Sequence, residues 1–299
     1  MWLYDKCEEI WLTKVLPMMH VNAKKRRIVR AENKIKLQER QLKRAKWGIS
    51  YSVFDGEELL EASLKSVRRS ADYINVVYQT LSWTGERRND ALPDFLKTLQ
   101  DKGLIDELIF FAPDANKRAY VNEKHKRNLG LKRARKAGCT YFMTMDTDEF
   151  YRFEEMEAAK REILQKGITH SFCGFALYGA KPTQRALSPG GYAVCFFSKL
   201  TRFTRVGRNR HIQARIDASR IPSHFPFAKY AFLGGVVMHH FSFVRKSLYD
   251  KLYNSSARDF DYMHGDFSNK QVEALKKKLA AQDYMTVENA FGIDIDAGR

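Results

Sequence analysis

The chain has 299 residues, 44% of them hydrophobic and 29% charged, and a formal net charge of +17. That apolar share supports a sizeable core, and no run of about 18 apolar residues occurs, so no segment reads as a transmembrane helix. The four cysteines, Cys7, Cys139, Cys173 and Cys195, are widely spaced and show neither a CxxC nor a zinc-ligand pattern. They read as reduced thiols of a cytoplasmic protein.

Taken in chain order, residues 1–19 mix apolar residues with Asp5, Lys6, Glu8, Glu9 and Lys14. That is not the charge order of a secretory leader. Residues 24–46 hold eleven Lys or Arg against two Glu. Ile28, Ile35 and Leu42, with Ala31, Gln38 and Ala45, recur there at near-heptad spacing, which predicts one long basic helix. Such a helix either packs its Leu/Ile stripe on the following domain or serves as an arm for a polyanion. A strand is expected at 47–54, followed by an Asp55-Gly56 turn. An amphipathic helix then carries Leu60, Leu64 and Val67 on one face. Further strands are expected at 73–78, 107–111 and 140–145, and helices at 92–99 and 124–137. This βαβαβαβ order with short connections is the pattern of a mostly parallel sheet.

The last of those strands, Thr140-Tyr141-Phe142-Met143-Thr144-Met145, stops at Asp146, Asp148 and Glu149. In open α/β sheets, ligands bind at the carboxyl ends of strands. Asp146 and Asp148 are two residues apart, so on a continuing strand they would share a face, where a divalent cation would offset their repulsion. The plainer reading is an acidic helix N-terminus. Three basic blocks stand out: residues 24–46, residues 117–136 with nine Lys or Arg, and residues 199–220 with seven. In the second block, Lys126, Arg127 and Asn128 are expected to open a helix whose N-terminus faces a phosphate or ribose. In the third, Arg202, Arg205, Arg208 and Arg210 alternate with apolar and small residues, as in a surface hairpin or an anion-binding face.

The strand–Asp-Gly–helix segment, then Lys126-Arg127-Asn128-Leu129-Gly130, then the strand ending in Asp-Thr-Asp-Glu together resemble the nucleotide-sugar half of a GT-A glycosyltransferase. The similarity is greatest to the family 2-like branch. Gly234-Gly-Val-Val-Met-His-His240-Phe-Ser-Phe is similar to the His-aromatic-Ser-aromatic segment late in such domains. The resemblance spans roughly residues 47–260. It implies a GT-A-like α/β fold, with a basic helical extension at 1–46, a catalytic domain at 47–265 and a C-terminal helix and tail at 266–299. It implies a nucleoside-diphosphate sugar donor and a Mn²⁺ or Mg²⁺ ion held by Asp146, Asp148 and His240. Asp55, Arg127, Asn128 and Asp146 would contact the nucleotide, with Arg245 and Lys251 within reach of a diphosphate. His239 and His240 face opposite ways on a strand, so only one can serve the site; His239 reads as a core histidine.

An inverting reaction needs a carboxylate base, for which Asp217 and Glu149 are the candidates. Arg205, Arg208 and Arg210 are assigned to the acceptor. A polyanionic acceptor suits the charge: a hydroxymethylated base in DNA of the kind some bacteriophages glycosylate, flipped out for reaction. The alternative is a cell-envelope glycan, lipopolysaccharide or capsule, reached as an anionic glycolipid from the inner membrane face. A third reading is a nucleic-acid-binding protein of the same fold without turnover. Asp148→Ala is expected to abolish transfer while leaving the fold intact, since a carboxylate at a strand end reads as exposed.

Overall fold

A computed structural model describes residues 16–83, 85, 88–188, 193–207, 220–221, 223, 228–254 and 269–295. The chain separates into two compact units, Met1–Ala45 and Lys46–Arg299. The first contains the helix α1 (Leu16–Arg44). Residues 22–30 of α1 are exposed, Ile28 and Val29 among them.

In the second unit, β1 (Trp47–Val53), β2 (Tyr73–Tyr78), β3 (Glu107–Phe110) and β4 (Tyr141–Met145) alternate with α2 (Glu57–Arg68), α3 (Leu92–Asp101) and α4 (Ala119–Lys136). After them come β5 (Glu149–Phe150), α5 (Phe153–Lys166), β6 (His170–Leu177), β7 (Gln184–Ala186), β8 (Ala193–Lys199) and β9 (Tyr230–His240). The chain continues through α6 (Leu248–Tyr253), α7 (Asn269–Ala280) and β10 (Tyr284–Thr286). Eight strands form one sheet in the order β3-β2-β1-β4-β8-β6-β9-β5. The first four are mutually parallel, β8 runs antiparallel to both neighbours, and β6 and β9 are parallel. This is the mostly parallel α/β fold expected. The central strands β1, β2 and β4 are buried on both faces, and β4 accordingly reads as a continuous apolar run.

Two close approaches fix the helices against the sheet. Gly130 lies where α4 crosses β1 and β2; a Cβ there would collide with Ser50, and Asn75 Nδ2 donates to the Gly130 carbonyl at 3.0 Å. Gly56 adopts φ 82° at the start of α2, and a Cβ there would collide with Arg245 and Thr147. Only glycine meets both demands at that turn.

The structure corrects two element expectations. α4 begins at Ala119 and not near Lys124, with Arg118 at its N-cap, and the side chain of Asn122 in its first turn ties back to both backbone groups of Asp114, at 2.8 and 3.0 Å. Lys126, Arg127 and Asn128 are therefore mid-helix and offer no helix N-terminus to a phosphate. β4 ends at Met145, and Asp146 begins a turn in which the Glu149 N–H donates to the Asp146 carbonyl at 3.3 Å. Asp146 and Asp148 thus do not sit on a continuing strand.

The C-terminal segment joins the core. Phe291, Ile293 and Ile295 pack with Leu59, Phe150, Tyr178 and Phe241, and β10 pairs antiparallel with β7.

Candidate active site

The site forms where β4 ends. The short β5 turns back to pair antiparallel with β9, with Glu149 opposite His240 and Phe150 opposite His239. A bulge in β9 sets which histidine faces the carboxylates. Cys173 pairs with Leu233 but Gly174 pairs with Val237, so Gly234, Gly235 and Val236 loop out of the ladder. An odd number of extra residues exchanges the two faces of all that follows. Glu155 Oε2 receives the freed Val237 N–H at 3.1 Å. His240 consequently approaches Asp148, its Nε2 3.6 Å from Oδ1. His239 turns into the core, where Nδ1 is 2.9 Å from the Tyr178 hydroxyl. Burial and the neighbouring Arg152 and Arg185 lower its pKa to about 4.

Each carboxylate has its own cations. Arg127, only 1% exposed, donates to both oxygens of Asp146 at 3.1 and 3.3 Å, to Glu123 at 2.5 Å and to Thr144 Oγ1 at 2.9 Å. Arg220 bridges Asp146 and Glu149. Arg245 and Lys251 both reach Asp148 Oδ2, at 2.7 and 2.8 Å. Burial works to raise the pKa of Asp146 and Asp148. For Asp146, Arg127 and Arg220 more than offset it; for Asp148, Lys251, Arg245 and His240 hold the carboxyl well below the usual range. Glu149 goes the other way: burial, aided by Asp146 and Asp148, outweighs Arg220 and raises its pKa. Four side-chain cations therefore neutralise the acidic turn, a role the sequence reading gave to a metal.

Space for a metal still exists. Asp148 Oδ1 is buried and has no hydrogen-bond partner among the described residues, and 3.6 Å to His240 Nε2 is beyond a direct hydrogen bond. Asp148, Glu149 and His240 each place a ligand atom within 4.8 Å of the others. Carboxylate oxygen and neutral imidazole suit Mn²⁺ or a similar ion. Both Glu149 oxygens are engaged, one by Arg220 and one by the Asp146 N–H at 3.1 Å. The Asp148–His240 pair is accordingly the better fit.

A cleft of about 280 Å³ opens beside this cluster, lined among others by Asp55, Asn89, Arg245, Lys251 and Asn254. The Asp55 carboxylate accepts from Asn254 Nδ2 at 3.0 Å. Beneath the strand ends lies Lys126, 1% exposed, donating to the Val53 carbonyl at 2.7 Å and to Gln79 Oε1 at 3.0 Å. Burial, with Arg127 adjacent, lowers its pKa to about 7.

Of the residues singled out in the sequence, Asp146, Asp148, Glu149, His240 and Arg127 come together, with Asp55 across the adjoining cleft. Asn128 points elsewhere: its amide is taken up by both backbone groups of Val206, at 2.7 and 3.0 Å, and by the Lys124 carbonyl. Arg205 is exposed and donates to the Thr204 carbonyl at 2.8 Å. Arg208, Arg210 and Asp217 lie outside the described residues. Arg220 was missed; in the sequence it is one Arg among the seven of its block, and nothing local marks it. No helix among the described residues is long and apolar enough to cross a membrane.

No family profile and no curated protein matches the chain. Solved structures that it resembles include S. aureus TarS, at 11% identity and TM-score 0.39 over 79% of this chain and 46% of that one, so that the chain spans under half of TarS. A truncated TarS, residues 1–349, is similar in its complex with UDP, at 10% identity and TM-score 0.37 over 79% and 70% of the two chains. The same fragment with UDP-GlcNAc gives 14% identity and TM-score 0.36 over 79% and 77%.

Proposed function

We propose that this chain is a glycosyltransferase moving a sugar from a nucleoside-diphosphate sugar to a hydroxyl of a polyanionic acceptor. The observation that carries the reading is the buried Asp148. One of its oxygens is bound by Arg245 and Lys251 at the wall of the cleft, and the other lies unpartnered toward His240. A donor diphosphate entering that cleft meets Arg245 and Lys251, which exchange part of their interaction with Asp148 for phosphate oxygens. Arg127 and Arg220 hold Asp146 fixed at the rim, where its carboxylate can accept from ribose hydroxyls. Asp148 and His240 would hold a divalent ion, which supplies Lewis-acid stabilisation of the leaving diphosphate when bound. The acceptor hydroxyl attacks the anomeric carbon, and the bond from that carbon to the diphosphate oxygen breaks with its electron pair leaving on the diphosphate.

Glu149 suits a structural strut better than the base, since both its oxygens are engaged and it is 2% exposed. Asp217 is kept as the base for an inverting reaction. The acceptor reading rests on charge: Arg205 and the exposed basic face of α1 favour a long polyanion, with a hydroxymethylated base in DNA placed first and an anionic envelope glycolipid second.

The test is donor binding and acceptor-free hydrolysis across a panel of nucleotide sugars, UDP-GlcNAc included, with and without Mn²⁺. The expected result is binding that Mn²⁺ tightens, and hydrolysis lowered at least about a hundredfold in Asp148→Asn. Asp148→Asn is preferred to Asp148→Ala because, contrary to the expectation of an indifferent fold, Asp148 is buried. Both changes take the counter-charge from Arg245 and Lys251, at a cost of about 3–5 kcal/mol, but Asn keeps the side-chain volume and an oxygen that can accept from them. Failure of every nucleotide sugar to bind would sink the reading.

A further inference from the structure

α1 belongs to a compact unit of its own, and Ile28 and Ile35 are 50% and 55% exposed on it. In the sequence Val21, Ile28, Ile35 and Leu42 recur every seven residues, the spacing that keeps one seam along a supercoiled helix. With these at heptad position a, position d holds Lys24, Ala31, Gln38 and Ala45. The two glutamates of residues 24–46, Glu32 and Glu39, both fall at position e, and Arg27 and Lys34 both fall at position g. In a parallel two-stranded coil, each g residue meets the e residue five positions on in its partner. Arg27 then faces Glu32 of the second copy, Lys34 faces Glu39, and the symmetric pairs repeat both contacts. An antiparallel arrangement sets g against g and e against e, which opposes like charges. Val and Ile at a favour two strands.

We infer that α1 joins two copies of this chain as a parallel, in-register coiled coil. Arg26, Arg30, Lys36, Arg40 and Arg44 occupy the outer positions b, c and f, so pairing leaves them free for a polyanion and doubles the basic surface. Small or polar residues at d make the pairing weak and concentration-dependent. The inference does not rest on the enzymatic reading.

The experiment is sedimentation velocity on the full, nuclease-treated chain from about 1 to about 100 µM. A monomer–dimer equilibrium is expected. Ile28→Lys with Ile35→Lys should leave a monomer whose melting temperature for the catalytic unit is unchanged. Arg27→Glu with Lys34→Glu, and separately Glu32→Lys with Glu39→Lys, should each weaken self-association by roughly tenfold or more. Mixing those two variants should restore the dimer. A wild-type chain that stays monomeric throughout overturns the proposal, as does a dimer indifferent to the isoleucine and charge changes.

Discussion

At the scale of single residues, the site is governed by how buried charges are matched. Asp146, Asp148 and Glu149 are consecutive enough to repel one another, and the fold answers with Arg127, Arg220, Arg245 and Lys251 drawn from three separate stretches of chain. Lys126 gives a pH test because its hydrogen bonds go to the Val53 carbonyl and Gln79 and not to those carboxylates. Its folded pKa, about 7, is below its ordinary value of 10.5. Between these values the unfolded chain holds a proton that the folded chain does not, so stability rises with pH across that window and the gain ends above it. Urea unfolding should show the wild type gaining about 2 kcal/mol from this group between about pH 7 and about pH 9. Lys126→Met should lose that increment. Equal slopes for the two proteins would mean that Lys126 stays protonated in the fold. Neither Lys126 nor Arg127 was legible as buried, since in sequence they belong to a basic block that reads as a solvated face.

At the scale of elements, the alternation of strands and helices was legible because the buried parallel strands are mostly apolar and the connections are short. Boundaries failed where polar side chains do unexpected work. α4 starts more than a turn earlier than the hydrophobic pattern suggests, where Asn122 ties its first turn to the Asp114 backbone. β4 stops before Asp146 because the chain must turn to bring β5 against β9. The packing of α4 on β1 depends on Gly130, whose missing side chain lets Ser50 and Asn75 approach. Gly130→Ala should therefore destabilise the protein by about 1–3 kcal/mol, measured as a lowered denaturation midpoint. Adding Ser50→Gly should recover part of the loss, beyond the sum of the single effects. An Ala variant as stable as the wild type would mean that α4 can withdraw from the sheet at no cost.

At the scale of the whole molecule, the two compact units divide the charge. In the second unit Arg127, Arg220 and Arg245 are buried against the carboxylates of the acidic turn, while residues 22–30 of α1 display their cations to solvent. If the acceptor is DNA, log affinity should fall linearly with log salt, with a slope of roughly −0.9 per phosphate contacted. Removal of residues 1–45 should make that slope shallower while leaving acceptor-free donor hydrolysis unaltered. If the acceptor is a glycolipid, the same deletion should release the chain from anionic vesicles and leave DNA affinity as it was. A deletion that changes neither interaction removes the arm from the acceptor's binding.

The sequence by itself determined the α/β order, the strand that delivers the acidic turn and the sign of the charge on each block, because these depend on local pattern and composition. Tertiary structure alone decided which charges meet. Arg220 reaches Asp146 and Glu149 across more than seventy residues, and Arg245 and Lys251 reach Asp148 across about a hundred; no local spacing encodes such contacts. For the adjacent histidines, the sequence resemblance named His240, and tertiary structure supplies the reason. The three-residue bulge in β9 sets the phase of the strand, and only the pairing with β6 reveals that the bulge is there.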